Sequence, residues 1–171
     1  HADTIDARTA GTIDAGSSLT VLGAATSLNL QFDNLGIGAS TANGTTTFGA
    51  GTTVSFGQAG SPGALNMGLG HTGTLNINGA ALMFDITNVG TQFNVGLDGG
   101  NGIVNMTSGS VTINDSNAVP GFFGSIAIGF PFGTTAAKGT FNQSGGTVSV
   151  SAGALDIGIA NGNGTYNLAN N

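Results

Sequence analysis

The chain is predicted to be all-β: a parallel β-solenoid (β-helix) of about five to six coils, with roughly 30 residues and three short strands to a coil. Three observations carry this. An apolar-x-apolar-Gly motif recurs along the chain. The segments that follow it alternate apolar and polar residues with period two, the signature of strands with one buried face. Glycine stands at nearly every junction, which disfavours helix. A unit this small cannot bury its own apolar face, but stacked units can, because equivalent residues line up and close one continuous core.

The first strand of each coil begins at Leu35-Gly36-Ile37-Gly38, Leu65-Asn66-Met67-Gly68, Phe93-Asn94-Val95-Gly96, Ile126-Ala127-Ile128-Gly129 and Leu155-Asp156-Ile157-Gly158. Their final glycines lie 30, 28, 33 and 29 residues apart. The second strand follows a variable glycine-rich stretch: 44–48, 73–77, 102–106, 139–143 and 164–168, with 11–15 (GTIDA) as an earlier copy. The third follows a short turn, as Leu19-x-Val21, Val54-x-Phe56, Leu82-x-Phe84, Val111-x-Ile113 and Val148-x-Val150.

Stacking then predicts core columns. Leu35, Leu65, Phe93, Ile126 and Leu155 form one, and Ile37, Met67, Val95, Ile128 and Ile157 the next. The second strand contributes Ile13, Leu75, Val104, Phe141 and Tyr166, then Phe48, Ile77, Met106 and Leu168. Thr46 and Gln143 interrupt this apolar pattern, and Gln143 is expected to make a buried amide hydrogen bond. At about 4.8 Å per strand the solenoid would be about 25–30 Å long.

The whole of 1–171 reads as one domain, with 1–10 as an N-terminal extension and coils over 11–168. The first residue is not Met, so processing or trimming of a longer chain is expected. The last coil stops after its second strand, GTYNL (164–168), and so lacks a third. Thr4-Ile5-Asp6 echoes Thr12-Ile13-Asp14, which makes residues 1–10 the candidate strand to complete that coil in a neighbouring subunit. Deleting them is then expected to abolish assembly without unfolding the coils.

Composition narrows the partners. The formal net charge is −6, with two Lys or Arg residues against eight acidic ones, all Asp. Two distant cations cannot form the basic patch that nucleic acid or an anionic membrane surface requires. No apolar run is long enough to span a bilayer. There is no Cys, hence no disulfide framework and no thiolate chemistry. Glycine supplies 32 residues, yet 39% of the chain is hydrophobic and periodically placed, which argues against disorder.

The stretch GTFNQSGGTVSVSAGALDIGIANGNGTYNL (139–168) resembles the β-strand repeats of secreted bacterial surface proteins, of the autotransporter-passenger and PEP-CTERM type. Those carry recurring G-T-[FY]-N-Q-S-G-G-T-[VL] and L-x-[IV]-G motifs. The match is closest over 126–168, weaker back to about residue 35, and limited to GTIDAGSSLTV (11–21) before that. The resemblance implies an exported, extracellular right-handed parallel β-solenoid serving as a surface, stalk or adhesive element, without catalytic residues. The right-handed rule for parallel crossovers points the same way.

Candidate chemistry is sparse. The eight Asp residues are scattered, and no basic residue shares a coil position with two of them, so no enzyme is expected. A weak calcium candidate is Asp98 with Asn101 in GLDGGNG (96–102), where a structural ion would find oxygen ligands. His71 has no second His or Cys nearby and reads as a turn residue. Five N-x-S/T sequons at Asn43, Asn105, Asn114, Asn142 and Asn163 are not read as glycosylated.

One outward pattern is systematic. Thr12, Thr45, Thr74, Thr140 and Thr165 are expected to stack as one polar ladder, and Asn76, Asn105, Asn142 and Asn167 as a second. Asn ladders hydrogen-bond along the stacking axis; the same flat face would suit a surface glycan or ordered water. Phe122, Phe123, Phe130 and Phe132, in the stretches 115–125 and 129–135, carry more apolar area than a turn needs and are interface candidates, with Ile5, Tyr166 and Leu168. Two functions follow. One is a structural subunit assembling head to tail with copies of itself into an open surface fibre or matrix filament. The other is an adhesin or glycan- or ice-binding module of a longer surface protein.

Overall fold

The computed structural model describes residues 3–7, 11–13, 18–21, 28–32, 34–38, 42–56, 63–86, 92–115, 125–131, 133 and 135–169. Side chains are described from Leu35 on, apart from 85, 86, 115, 125 and 152. Along the chain run β1 (Asp3–Ala7), β2 (Gly11–Ile13), β3 (Ser18–Val21), β4 (Leu28–Phe32), β5 (Asn34–Ile37), β6 (Gly44–Gly49), β7 (Thr52–Phe56), β8 (Ala64–Leu69), β9 (Thr72–Ile86), β10 (Gln92–Leu97), β11 (Asn101–Asp115), β12 (Ser125–Phe130), β13 (Lys138–Gln143), β14 (Thr147–Ala152), β15 (Ala154–Ile157) and β16 (Asn163–Leu168).

Every pairing among these strands is parallel, and they sort into three rows. The first row is β2-β5-β8-β10-β12-β15. The second is β3-β6-β9-β11-β13-β16, through the N-terminal halves of the long β9 and β11. The third is β1-β4-β7-β9-β11-β14, through their C-terminal halves. The fold is therefore the parallel β-solenoid expected. It makes about four turns, fewer than the five to six predicted, with further N-terminal strands placed by backbone pairing.

From residue 35 onward the registers match the predicted columns. Leu35 pairs with Leu65, Leu65 with Phe93, Phe93 with Ile126 and Ile126 with Leu155. The side chains in the middle of each column are fully buried and form one core. Its aromatic rings run through the interior. Phe56 stacks on Phe84 at 4.6 Å and Phe84 on Phe93 at 5.3 Å; Phe93 meets Phe141 edge-on at 6.2 Å, and Phe141 stacks on Tyr166 at 5.0 Å. Such pairs add to the area they bury.

Before residue 35 the prediction needs correcting by one strand. Gly11–Ile13 lies in the first row, with Ile13 opposite Ile37, rather than in the second with Leu75. Leu19 and Val21 then fall in the second row, opposite Thr46 and Phe48. The third-row strand of that coil is Leu28–Phe32, whose Leu30 and Phe32 pair with Val54 and Phe56. Asp3–Ala7 is no free extension: it pairs with β4 of its own chain, Ile5 opposite Leu30. The physical reason is that short Gly-Thr-apolar segments fit any row, so register follows from which edge is open rather than from the motif.

Glycine shapes the corner between the first two rows. Gly96 has φ +79, and a Cβ placed there would sit 1.9 Å from the Lys138 carbonyl oxygen, inside the next coil's backbone. The same motif position is positive in φ at Gly38, Gly68, Gly129 and Gly158. The residue after Gly68, Gly96, Gly129 and Gly158 builds a second apolar column outside the main core. Leu69 pairs with Leu97 and Leu97 with Phe130. Leu97, Ala127 and Phe130 are buried, with Leu69 and Ile159 packed against them.

Candidate functional site

The outward face of the second row carries the one extended polar array among the predicted site residues. Thr47, Asn76, Asn105, Asn142 and Asn167 occupy successive positions of one column. Each Asn Nδ2 donates to the preceding coil: Asn76 to Thr47 Oγ1 at 3.2 Å, Asn105 to Asn76 Oδ1 at 3.0 Å, Asn142 to Asn105 at 3.0 Å, and Asn167 to Asn142 at 2.8 Å. The ladder therefore has a direction. Every amide gives a hydrogen toward the N-terminal end and receives one from the C-terminal side, until Asn167.

Two residues apart along each strand, Thr45, Thr74, Thr140 and Thr165 share the second outward column, with Ile103 interrupting it between Thr74 and Thr140. Thr12 is not part of it. It lies in the first row opposite Gly36, and the second-row position next to Thr45 is taken by Ser18. Alternation along β6, β9, β11, β13 and β16 places these polar residues outward while the intervening residues face the core.

A shorter amide contact was not foreseen. Asn94 is buried in the first row, and its Nδ2 donates to Asn66 Oδ1 at 2.8 Å and to Gln92 Oε1 at 3.0 Å. Its sequence signal was an Asn at the middle position of two consecutive apolar-x-apolar motifs. Gln143 satisfies itself as predicted: its Nε2 donates to the Gly146 carbonyl at 2.9 Å, and its Oε1 accepts from the Tyr166 hydroxyl. Burial pushes the Tyr166 phenol above its usual pKa. Thr46, the other predicted interruption, is buried in the core with no hydrogen-bond partner for its hydroxyl among the described residues, as is Thr52.

The remaining candidates separate. Asp98 has φ +46 in the turn after β10, and its carboxylate lies beside Gly133. Asn101 opens β11, where its backbone N–H donates to the His71 carbonyl at 2.8 Å, and its Oδ1 is buried without a hydrogen-bond partner. Among the described residues no three His, Cys, Asp or Glu side chains gather at a point that could hold a metal, and no helix is long and apolar enough to cross a membrane. Phe130 is not an exposed interface ring. It is buried in the outer apolar column, because the turn after Gly129 directs it against Leu97 and Ala127. Phe122, Phe123 and Phe132 lie outside the described residues, as does the side chain of Ile5.

The surface that stands out is the C-terminal end. Leu155 is 42% exposed and Ile157 45%, whereas their column partners Ile126 and Ile128 are at 0%; Leu168 is 65% exposed beside Gln143 at 8%. Leu168 was foreseen as an interface residue; Leu155 and Ile157 were expected only as core. A groove beside β16, lined by Gln143, Ser144, Tyr166 and Leu168, opens on this end. No family model, curated protein or solved structure matches the chain.

Proposed function

We propose that this chain is a non-enzymatic, extracellular structural protein, a solenoid subunit of a surface fibre or matrix filament that lengthens head to tail. The observation that carries the reading is the stack itself: core columns and an amide ladder repeat from coil to coil along one axis, with all strand pairings parallel. A repeat fold of this kind lengthens by adding coils along that axis. The dispersal of the eight Asp residues supports a role without catalysis, and the likeness of 139–168 to secreted surface repeats supports export. Electron microscopy of the purified chain over a concentration series tests this. Unbranched filaments one solenoid wide are expected; a monodisperse monomer at millimolar concentration would refute the reading.

A second reading rests on the outward Thr45, Thr74, Thr140 and Thr165, held in one column beside the amide ladder. Such a face would dock a glycan or order water as part of an adhesin. Binding on a glycan array, or inhibition of ice recrystallisation, by a chain that stays monomeric would favour it.

A further inference from the structure

We infer that Asn66 and Asn94 form a register key, a buried amide pair that holds β10 against β8 in one alignment among several that the rest of the first row would accept. Asn94 is 3% exposed, and its Nδ2 donates to Asn66 Oδ1 at 2.8 Å. Both strands lie in the interior of the stack, β8 between β5 and β10, and β10 between β8 and β12.

The apolar contacts leave a choice. The inward residues are Leu65 and Met67 on β8, and Phe93 and Val95 on β10, all fully buried. Side chains alternate with period two, so a slip of one residue would turn one strand's set outward, whereas a slip of two keeps both sets inward. In one such slip Phe93 faces Met67 and Val95 faces Leu69; in the other Val95 faces Leu65 and Phe93 faces Gly63. Parallel backbone hydrogen bonds are the same in kind in every alignment. The corner glycines lie elsewhere: Gly68 sits against the Asn101 backbone and Gly96 against that of Lys138, so each ties its strand to the second row rather than to the other strand.

The outward column decides. It reads Gly36, Asn66, Asn94, Ala127 and Asp156 in stacking order, so two amides meet at one junction of it. Either two-residue slip moves Asn94 opposite Gly68 or Ala64, and neither side chain can accept a hydrogen bond. Gln92, the other acceptor at 3.0 Å, is on the same strand and moves with Asn94, so it does not sense the slip. Burial shields Asn94 from the water that would replace Asn66, and a buried donor left unpaired is costly. The ladder of row two lacks this discrimination. A two-residue slip of β11 on β9 brings Asn105 opposite Thr74 or Asn78, each with an oxygen to accept its hydrogen bond, and Asn105 is only half-buried. Buried polar pairs are weak stabilisers, and fixing register is their best-attested use. Gly36 and Ala127 in the same column show that the fold itself requires no amide there.

Nuclear magnetic resonance of the isotope-labelled full chain tests this, because a second register gives a second set of amide signals. Asn94→Ala introduces the residue that the next coil carries at this position. It is expected to double the signals of β8 and β10, the slipped form reaching at least about one tenth of the molecules, with the circular-dichroism spectrum unchanged. Asn66→Ala is expected to do the same, and Asn66→Asp, which keeps the acceptor, to leave one set. A pair that merely stabilises would lower the melting temperature of both Ala variants and leave one set of signals in the native register, and that result overturns the key. Doubling in only one of two folded Ala variants, doubling in Asn66→Asp, or loss of the fold in both Ala variants overturns it as well. If Asn94→Ala alone fails to fold, Asn66→Ala at its half-buried position decides: doubled signals support the key, and a single set overturns it.

Discussion

The middle coils and the last coil are built from the same motif and differ in what covers them. In β8, β9 and β10 the inward residues Leu65, Met67, Ile77, Phe93 and Val95 are fully buried, with a coil on either side. In β15 and β16 the equivalent residues Leu155, Ile157 and Leu168 are 42%, 45% and 65% exposed. Sequence position within the motif is the same, so burial here belongs to the neighbour rather than to the residue. A solenoid residue becomes core only when the next coil arrives, and stability is a sum of interfaces between coils.

The largest test of this contrast is at the corner glycines. Gly96→Ala puts a Cβ 1.9 Å from a backbone carbonyl of the following coil, on top of a φ of +79. It is expected to destabilise by more than about 3 kcal/mol and to abolish cooperative folding in a thermal melt followed by circular dichroism. Gly158→Ala, in the last coil, meets its nearest atom at 3.2 Å and carries mainly the left-handed strain of φ +67. It is expected to cost about 1–2 kcal/mol in the same experiment. Equal losses would show that coil-to-coil crowding is not what the corner glycine serves.

Core truncation gives the next contrast. Phe84→Ala removes a ring stacked on both Phe56 and Phe93, at an expected cost of about 3–5 kcal/mol by denaturant titration. Leu168→Ala, under dilute monomeric conditions, is expected to cost less than about 0.5 kcal/mol. The ladder gives a smaller difference. Asn105 both donates to Asn76 and accepts from Asn142, so Asn105→Ala is expected to cost about 1–2 kcal/mol, against about 0.5 kcal/mol for Asn167→Ala, which loses one hydrogen bond at an exposed site.

The smallest effect concerns pH. Burial raises the Tyr166 pKa, so the folded chain favours the neutral phenol. That contribution is fully present below the unfolded value of about 10 and is lost as pH rises through the raised folded value. Unfolding midpoints measured upward from pH 10 are expected to fall, and Tyr166→Phe to flatten that fall.

Much of this architecture was legible before any coordinates. Period-two alternation and recurring glycines placed the columns from Leu35 onward, because a parallel stack repeats the same side chains in the same place. The N-terminal fifth was misplaced by one strand, since Gly11-Thr12-Ile13 resembles a second strand while its partner edge, Leu35–Ile37, assigns it to the first. Leu28–Phe32 passed unnoticed as a strand because no glycine motif announces it. The outer column of Leu69, Leu97, Phe130 and Ile159 was also unread. Its signal, an apolar residue directly after each corner glycine, has meaning only once that glycine's positive φ turns the next side chain out of the strand plane. The exposed end face could not be read from the motif at all, because nothing in Leu155-x-Ile157 differs from its buried copies.

The spacing of the ladder contacts has a kinetic consequence. The four amide hydrogen bonds join residues 29, 29, 37 and 25 positions apart, so each closes a loop of about one coil. Loop-closure entropy rises only with the logarithm of length, so each added coil meets nearly the same entropic barrier as the one before. Only the first pair must form with no edge to build on. Folding of this chain is therefore expected to resemble crystal growth: a slow nucleus of two coils, then steady advance along one axis, at a speed set by the sequence arriving at the edge rather than by the length already laid down.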